Sequence, residues 1–516
     1  MLSLLPTFFR SFVASNADGA KRDLAVMSPI YRLPPELLGQ IFLECAPPAD
    51  LERSNILLSP FVLAQVCRQW RAIAHAMPML WSTFDFMQCG WGWSTEDESL
   101  AEIRFQRLLD LSGQLPLSFR FSAYLIGLVE HNASDHPILS KLFHLSDRWR
   151  NVWLCLPYRA YSEEKFKYAL SLPVLESLIL ENPHIAIGGL LPEGTRPPET
   201  FNLSSRLTRL SLQKYLLPTR AFAFSWSQIR QLHLKENLID GNDYVTILKA
   251  ATHLESFSAE NNHFAQPLST SIVSASINSL TIATTTSSSG VEPFLAPLVL
   301  PNLTHLNLRL WKPSQRDINA AVDFLERSGS SVTHFTCRSL DDGQLVRLLE
   351  KLPQLVHVGL CGSLIRPSFV GRLKNRPKTR VQAAQLDPVL ADEAASSWLP
   401  LSPSSSSSSP PPPAPSPPPC LLPNLESLLL SDNSLTPDLA GLTDAISSRL
   451  PISREYAGER AGAVSPVATL KRVKVLLRKE VELTAVNQFS TLSESEWGKR
   501  VVVASSDRDV MCADGL

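Results

Sequence analysis

A six-residue pattern, apolar-x-x-apolar-x-apolar, recurs along most of the chain. It starts at Trp149, Leu175, Leu207, Ile229, Leu254, Ile277, Leu303, Val332, Leu355 and Leu425, with a last copy near Leu470. Successive side chains of a strand point to opposite faces, so each copy predicts a short strand with one apolar side. From Trp149 to Leu355 the intervals are 26, 32, 22, 25, 23, 26, 29 and 23 residues. A period of about 20–29 residues marks a stacked repeat architecture. Helical periodicity fills several intervals: Ser99–Leu111, Asp317–Ser328 and Asp341–Lys351 each begin with or near a capping Ser or Asp. Strand plus helix per repeat predicts a curved parallel sheet with outer helices. Three copies reach an asparagine at the ninth position, Asn237, Asn262 and Asn433. An amide there can satisfy backbone groups that turn inward from the strand, which an apolar side chain cannot. An ordinary doubly wound α/β domain would need a G-x-G-x-x-G turn after a strand, and the chain has none.

A different pattern occupies residues 28–82. In Leu33-Pro34-Pro35-Glu36, proline suits a first helical turn and the glutamate suits the positive end of the helix dipole. Leu37, Leu38, Ile41, Phe42 and Cys45 then fall on one helical face, and Pro47-Pro48 stops the helix. A second helix is predicted from Ser59-Pro60 to Pro78, presenting Phe61, Leu63, Val66, Cys67, Trp70, Ile73 and Ala74. Leu80-Trp81 follows as an apolar anchor. Helices this short expose more apolar surface than they can hide from one another, so the rest of the chain or a partner must cover them.

The string LPPELLGQIFLEC…SPFVLAQVCRQWRAIAHAMPMLW resembles an F-box of the form common in fungi. Leu33, Pro34, Glu36, Leu37, Ile41, Phe42, Val66, Cys67, Trp70, Leu80 and Trp81 carry the resemblance, and the loop Ala46 to Leu58 is longer than the family pattern. The likeness covers about a tenth of the chain, and the repeats beyond it resemble degenerate leucine-rich repeats. The implied fold class is an α-helical F-box module plus an α/β leucine-rich-repeat solenoid. In the family the module docks on the Skp-type adaptor of a cullin-based ubiquitin ligase. The resemblance therefore makes Leu33, Pro34, Leu37, Ile41, Phe42, Val66 and Trp70 adaptor-binding candidates.

Composition adds boundaries to this picture. Of the 516 residues 44% are apolar, close to the globular norm, so most of the chain should fold. The expected order is a disordered leader at 1–27, the helical module at 28–82 and a first solenoid part at 98–375. A Ser/Pro-rich insertion at 376–421, a second solenoid part at 422–505 and a disordered tail at 506–516 follow. Residues 402–419 hold a run of six Ser and then mostly Pro, which cannot bury enough apolar surface to offset its ordering entropy. Ser402, Ser409 and Ser416 each precede proline and are modification candidates, beside the simpler reading of a passive spacer.

The net charge of −1 gives no electrostatic case for nucleic acid or anionic lipid. The late basic cluster Lys471, Arg472, Lys474, Arg478 and Lys479 reads as strand-edge charge. No stretch of about 18 apolar residues predicts a membrane span. The apolar opening has only Arg10 as a cation in its first twenty residues, unlike a targeting presequence. Eight cysteines at irregular gaps without C-x-x-C predict free thiols in a reducing compartment, cytoplasmic or nuclear.

Chemistry-bearing positions are few. The third and fifth residues of each motif should face the open side of the sheet, where strands about 4.8 Å apart would line up His305, His334 and His357. Such a row could touch an acidic target, respond to pH, bind a metal, or be a tolerated exposed position. With Trp153, Arg209, Arg230, His233 and Asn307 these are the target-binding candidates. No G-x-S-x-G, P-loop, H-E-x-x-H or kinase motif occurs, and no metal site, cofactor or catalysis is expected. Two functions stay open: a substrate receptor of a cullin-type ligase, and a repeat scaffold without ligase coupling.

Overall fold

The structure, a computed structural model, describes residues 30, 33–45, 60–86, 98–122, 137–156, 171–182, 204–214, 216–217, 224–239, 241–264, 271–285, 290–362, 364–365, 367–373, 421–431, 434–435, 445–446, 470–478 and 501–506. The leader at 1–27, residues 376–420 with the Ser/Pro run, and residues 507–516 lie outside the described residues. The chain divides into two compact units, residues 1–303 and 304–516.

The first unit opens with four helices: α1 (Pro35–Cys45), α2 (Pro60–Val66), α3 (Arg68–His75) and α4 (Pro78–Trp81). The second helix foreseen in the sequence is in fact two. Cys67 is extended (φ −158°, ψ 174°) and its sulfur accepts the Trp70 N–H at 3.4 Å, so it caps α3. Arg71 Nε donates to the Ala64 carbonyl at 2.9 Å and closes the end of α2. Pattern alone hides this break, because apolar spacing continues through it. The module's interior holds Leu38, Phe42, Leu63, Trp70, Ala74, Leu80 and Trp81. The Phe42 and Trp70 rings lie 4.8 Å apart, and Trp81 Nε1 donates to the Ala74 carbonyl at 2.7 Å.

The helices lead straight into a sheet: α4 packs on α5 (Glu98–Ser112), and Ser82 is followed by strand β1 (Thr83–Asp85). Seven further parallel strands follow in chain order. They are β2 (Leu117–Ser122), β3 (Trp149–Cys155), β4 (Ser177–Glu181), β5 (Arg209–Gln213), β6 (Gln231–Lys235), β7 (Ser256–Glu260) and β8 (Ser279–Ala283). Pairing is parallel throughout, with Leu178, Leu210, Leu232 and Phe257 in one row. Helix α6 (Pro137–His144), α7 (Gly241–Ala250) and α8 (Glu292–Leu295) lie in the connections.

The second unit repeats the scheme with six parallel strands. These are β9 (His305–Arg309), β10 (His334–Arg338), β11 (His357–Cys361), β12 (Ser427–Ser431), β13 (Arg472–Arg478) and β14 (Val501–Ser506). Helix α9 (Gln315–Ser328) and α10 (Asp342–Leu349) both start on capping boxes, Ser314 with Asp317 and Asp341 with Gln344. Helix α11 (Pro367–Leu373) follows β11. Strands β11 and β12 pair directly, His357 opposite Ser427, so the Ser/Pro stretch is inserted between neighbouring strands.

The motif's first residue is buried in every copy from Trp149 to Leu470. Strands β1, β2 and β14 went unforeseen, because their short apolar runs lack the spacing of the other copies. One regularity also escaped the pattern. The eighth motif position turns left-handed in five copies: Lys214 (φ 60°), Glu236 (φ 54°), Asn261 (φ 50°), Ser339 (φ 63°) and Gly362 (φ 57°). In four of them the N–H reaches the carbonyl of the next strand's last residue: Lys214 to Lys235, Glu236 to Glu260, Asn261 to Ala283 and Ser339 to Cys361. Each turn thus extends the ladder by one bond, at a steric cost that only Gly362 avoids. Asn237 and Asn262 do what the sequence implied. Asn237 Nδ2 donates to Leu212 O at 2.8 Å, Asn262 Nδ2 to Leu234 O at 2.7 Å, and Asn262 Oδ1 accepts the Asn237 N–H at 2.9 Å. Asn433 lies outside the described residues.

Candidate functional site

Two surfaces concentrate the candidate residues. The first is a face of α1. Leu37 is 45% exposed and Ile41 41% exposed, unusual for aliphatic side chains on a helix whose other face is fully buried. Pro34 is exposed and Leu33 half-buried beside them. Leu33, Leu37, Ile41 and Leu43, with Gln40, Glu44 and Cys45, line an open groove of about 640 Å³. Val66 is half-buried at the end of α2. Phe42 and Trp70 correct the sequence-based expectation: at 0% and 3% exposed they belong to the module's interior and present no surface to a partner. Helical spacing places Phe42 one residue from Ile41, and only packing decides which of the two faces out.

The second surface is the polar face of the ladder. In the first unit, four of its charges are grouped. Arg120 lies 3.3 Å from the centre of the Trp153 ring, and Trp153 Nε1 donates to Glu181 at 3.1 Å. Lys214, on the left-handed turn after β5, bonds the other Glu181 oxygen at 2.8 Å. Asp85 is buried in β1, one ladder step from Arg120. Cys155 sits in this group with its pKa pushed up to about 11, by burial first and by Glu181 second, so its thiol stays protonated at neutral pH. Trp153 is 8% exposed and held by these contacts, which removes it from the free surface expected of it.

Other candidates in this unit differ in placement. Arg209 is exposed at the third position, level with Ser177 and Gln231. Arg230 stands one residue before β6, outside the third and fifth rows, and ion-pairs with Glu255 one repeat on. The same lateral pairing joins Arg150 to Glu176 at 3.0 Å. His233 is half-buried, its Nδ1 3.4 Å from Ser211 Oγ and its Nε2 3.7 Å from the Glu260 carboxylate.

The second unit carries the histidine row in register: His305 pairs with His334 and His334 with His357. The imidazoles stack, with centroids 4.1 Å apart at both steps and planes inclined by 14° and 23°. Threonine hydroxyls orient two of them, Thr304 to His305 Nδ1 at 2.8 Å and Thr333 to His334 Nδ1 at 2.9 Å. Burial, then His305 and His357, pulls the His334 pKa down to about 4. His357 is also lowered, by burial first, against an opposing pull from Glu426. Rings stacked face to face do not converge their nitrogens on one point, and among the described residues no group of three or more His, Cys, Asp or Glu is arranged to hold a metal ion. The row continues through Ser427 to Arg472. Sequence reasoning missed Ser427, Arg338, Arg120, Glu181 and Lys214, and read Arg472 only as strand-edge charge. Ser427, Arg472, Arg338 and Glu181 were within its reach by aligning every copy of the motif, whereas Arg120 lies on a strand without the motif's spacing and Lys214 enters from a turn.

Residues 30–87, which hold the helical module and the first ladder strand, match the F-box-like family. No curated protein matches the chain.

Proposed function

We propose that the protein is the substrate-receptor subunit of an SCF-type (Skp–cullin–F-box) ubiquitin ligase. The F-box-like domain docks the Skp-type adaptor, and through it a cullin. The ladder, read as a degenerate leucine-rich-repeat solenoid, holds a target protein. The receptor itself does no chemistry; it raises the concentration of target beside the ubiquitin donor. It works in the cytoplasm, the nucleus or both. The observation that carries the reading is the exposure of Leu37 and Ile41 on a helix whose other face is buried, with half-buried Leu33 beside them in the same groove.

Because α4 runs into β1 through Ser82 alone, a docked adaptor would be fixed in direction relative to the first strands. The test is capture of a Skp-type adaptor by the wild-type chain and by Leu37→Asp/Ile41→Asp. Both side chains are exposed, so the variant keeps its fold while losing the adaptor. Equal capture by the two proteins contradicts the docking face. No capture by the wild type favours a scaffold without ligase coupling.

A further inference from the structure

Among the described residues, none of the second unit's six ladder strands, HLNLR, HFTCR, HVGLC, SLLLS, RVKVLLR and VVVASS, carries an Asp or Glu. On its polar face one row reads His305, His334, His357, Ser427 and Arg472. Arg338, exposed, closes the far end of β10. Between them the fifth position carries Asn307, Thr336 and Gly359, with the Thr336 side chain lying against Gly359. Two polar atoms in this region are buried without a hydrogen-bond partner among the described residues, Ser427 Oγ and Asn307 Oδ1. Unsatisfied groups of this kind are few in a native fold and each calls for an explanation.

We propose that this face of the second unit binds an anionic peptide segment, whose carboxylates or phosphates are received by the imidazole row and by the guanidinium groups of Arg338 and Arg472. Arginine holds such groups by charge-assisted, often paired, hydrogen bonds, and a neutral imidazole still offers one N–H. Ser427 Oγ lies on the same row between His357 and Arg472 and can donate to the ligand. Glu426 acts on His357 at the edge of the row, and it is engaged by Lys471 at 2.8 Å. His334 is flanked by His305 and His357 on neighbouring strands and has Arg338 on its own; His357 faces Glu426, Lys471 and Arg472. An anion laid on the row favours imidazolium, so binding takes up protons and tightens as pH falls.

The proposal deepens the target-binding half of the proposed function, and its test does not involve the adaptor, so the two can fail separately. Fluorescence anisotropy of the full chain would use three labelled peptides: Glu/Gly, its Gln/Gly copy, and phosphoserine/Gly. The anionic peptides should bind at least about tenfold more tightly than the neutral one, and Arg338→Gln/Arg472→Gln should lose about tenfold of that. Arg104→Gln/Lys249→Gln, the same charge change on outer helices of the first unit, should stay within about twofold of wild type. For the Glu/Gly peptide, affinity should rise from about pH 8 to about pH 6, where its carboxylates remain ionised. Preference for phosphoserine over glutamate assigns the ligand as phosphorylated, and the reverse assigns it as acidic. Equal binding of charged and neutral peptides, or equal losses in the two double variants, overturns the proposal.

Discussion

The polar faces of the two units are built on one strand plan and treat charge in opposite ways. In the first unit Arg120, Trp153, Glu181 and Lys214 use one another up, and His233 has Glu260 across from it. In the second, three stacked histidines and two exposed arginines occupy strands that contain no carboxylate. A self-satisfied group mainly stiffens the sheet that contains it. An uncompensated one costs little while solvated and remains available to a ligand. The difference teaches that repeat position by itself does not mark a binding residue. Trp153 and His334 both stand on the polar face, and only their neighbours distinguish a structural role from an open one.

Five substitutions break or sharpen this contrast, beginning with the largest effect. Asn262→Leu strips the partners from the Leu234 carbonyl and the Asn237 N–H. At about 1–3 kcal/mol for each buried group, unfolding free energy by denaturant titration should fall by roughly 2–6 kcal/mol. In the second unit the copy that starts at Val332 makes the equivalent turn with buried Leu340, so that turn has no amide to lose. Next, Glu181→Ala leaves the Trp153 N–H and Lys214 without their acceptor. It should cost about 1–3 kcal/mol by the same titration, whereas Arg338→Ala on the open face should stay within about 0.5 kcal/mol.

A smaller gain is expected from Glu236→Gly, which relieves an exposed left-handed residue and should raise the unfolding free energy by up to about 1 kcal/mol. The last concerns pH. His334 titrates near 4 in the fold and near 6.5 when unfolded, so the unfolded chain takes up the proton first. Its contribution to stability is complete above about pH 6.5 and is lost as pH falls toward 4. His334→Asn should flatten that part of the stability–pH curve, measured by denaturant titration at successive pH values.

Much of the ladder was legible in the residues. Leucine spacing located the strands from Trp149 to Leu425, the third position predicted the stacked histidines, and the ninth predicted the buried amides of Asn237 and Asn262. Less visible was whatever depends on packing. Phe42 and Ile41 are equally apolar neighbours, yet the first meets Trp70 and the second meets solvent. Cys67 breaks a helix inside an unbroken apolar pattern because its sulfur and Arg71 satisfy the severed turn. Arg230 resembled a face residue until the register placed it one step early, beside Glu255.

Hydrogen exchange of the full chain with and without a Skp-type adaptor tests the central claim most directly. Slowed exchange should appear over residues 33–45, where Leu37 and Ile41 face outward, while the strands from His305 to Arg338 keep their free-chain rates. Protection of those strands with none over 33–45 would contradict the account.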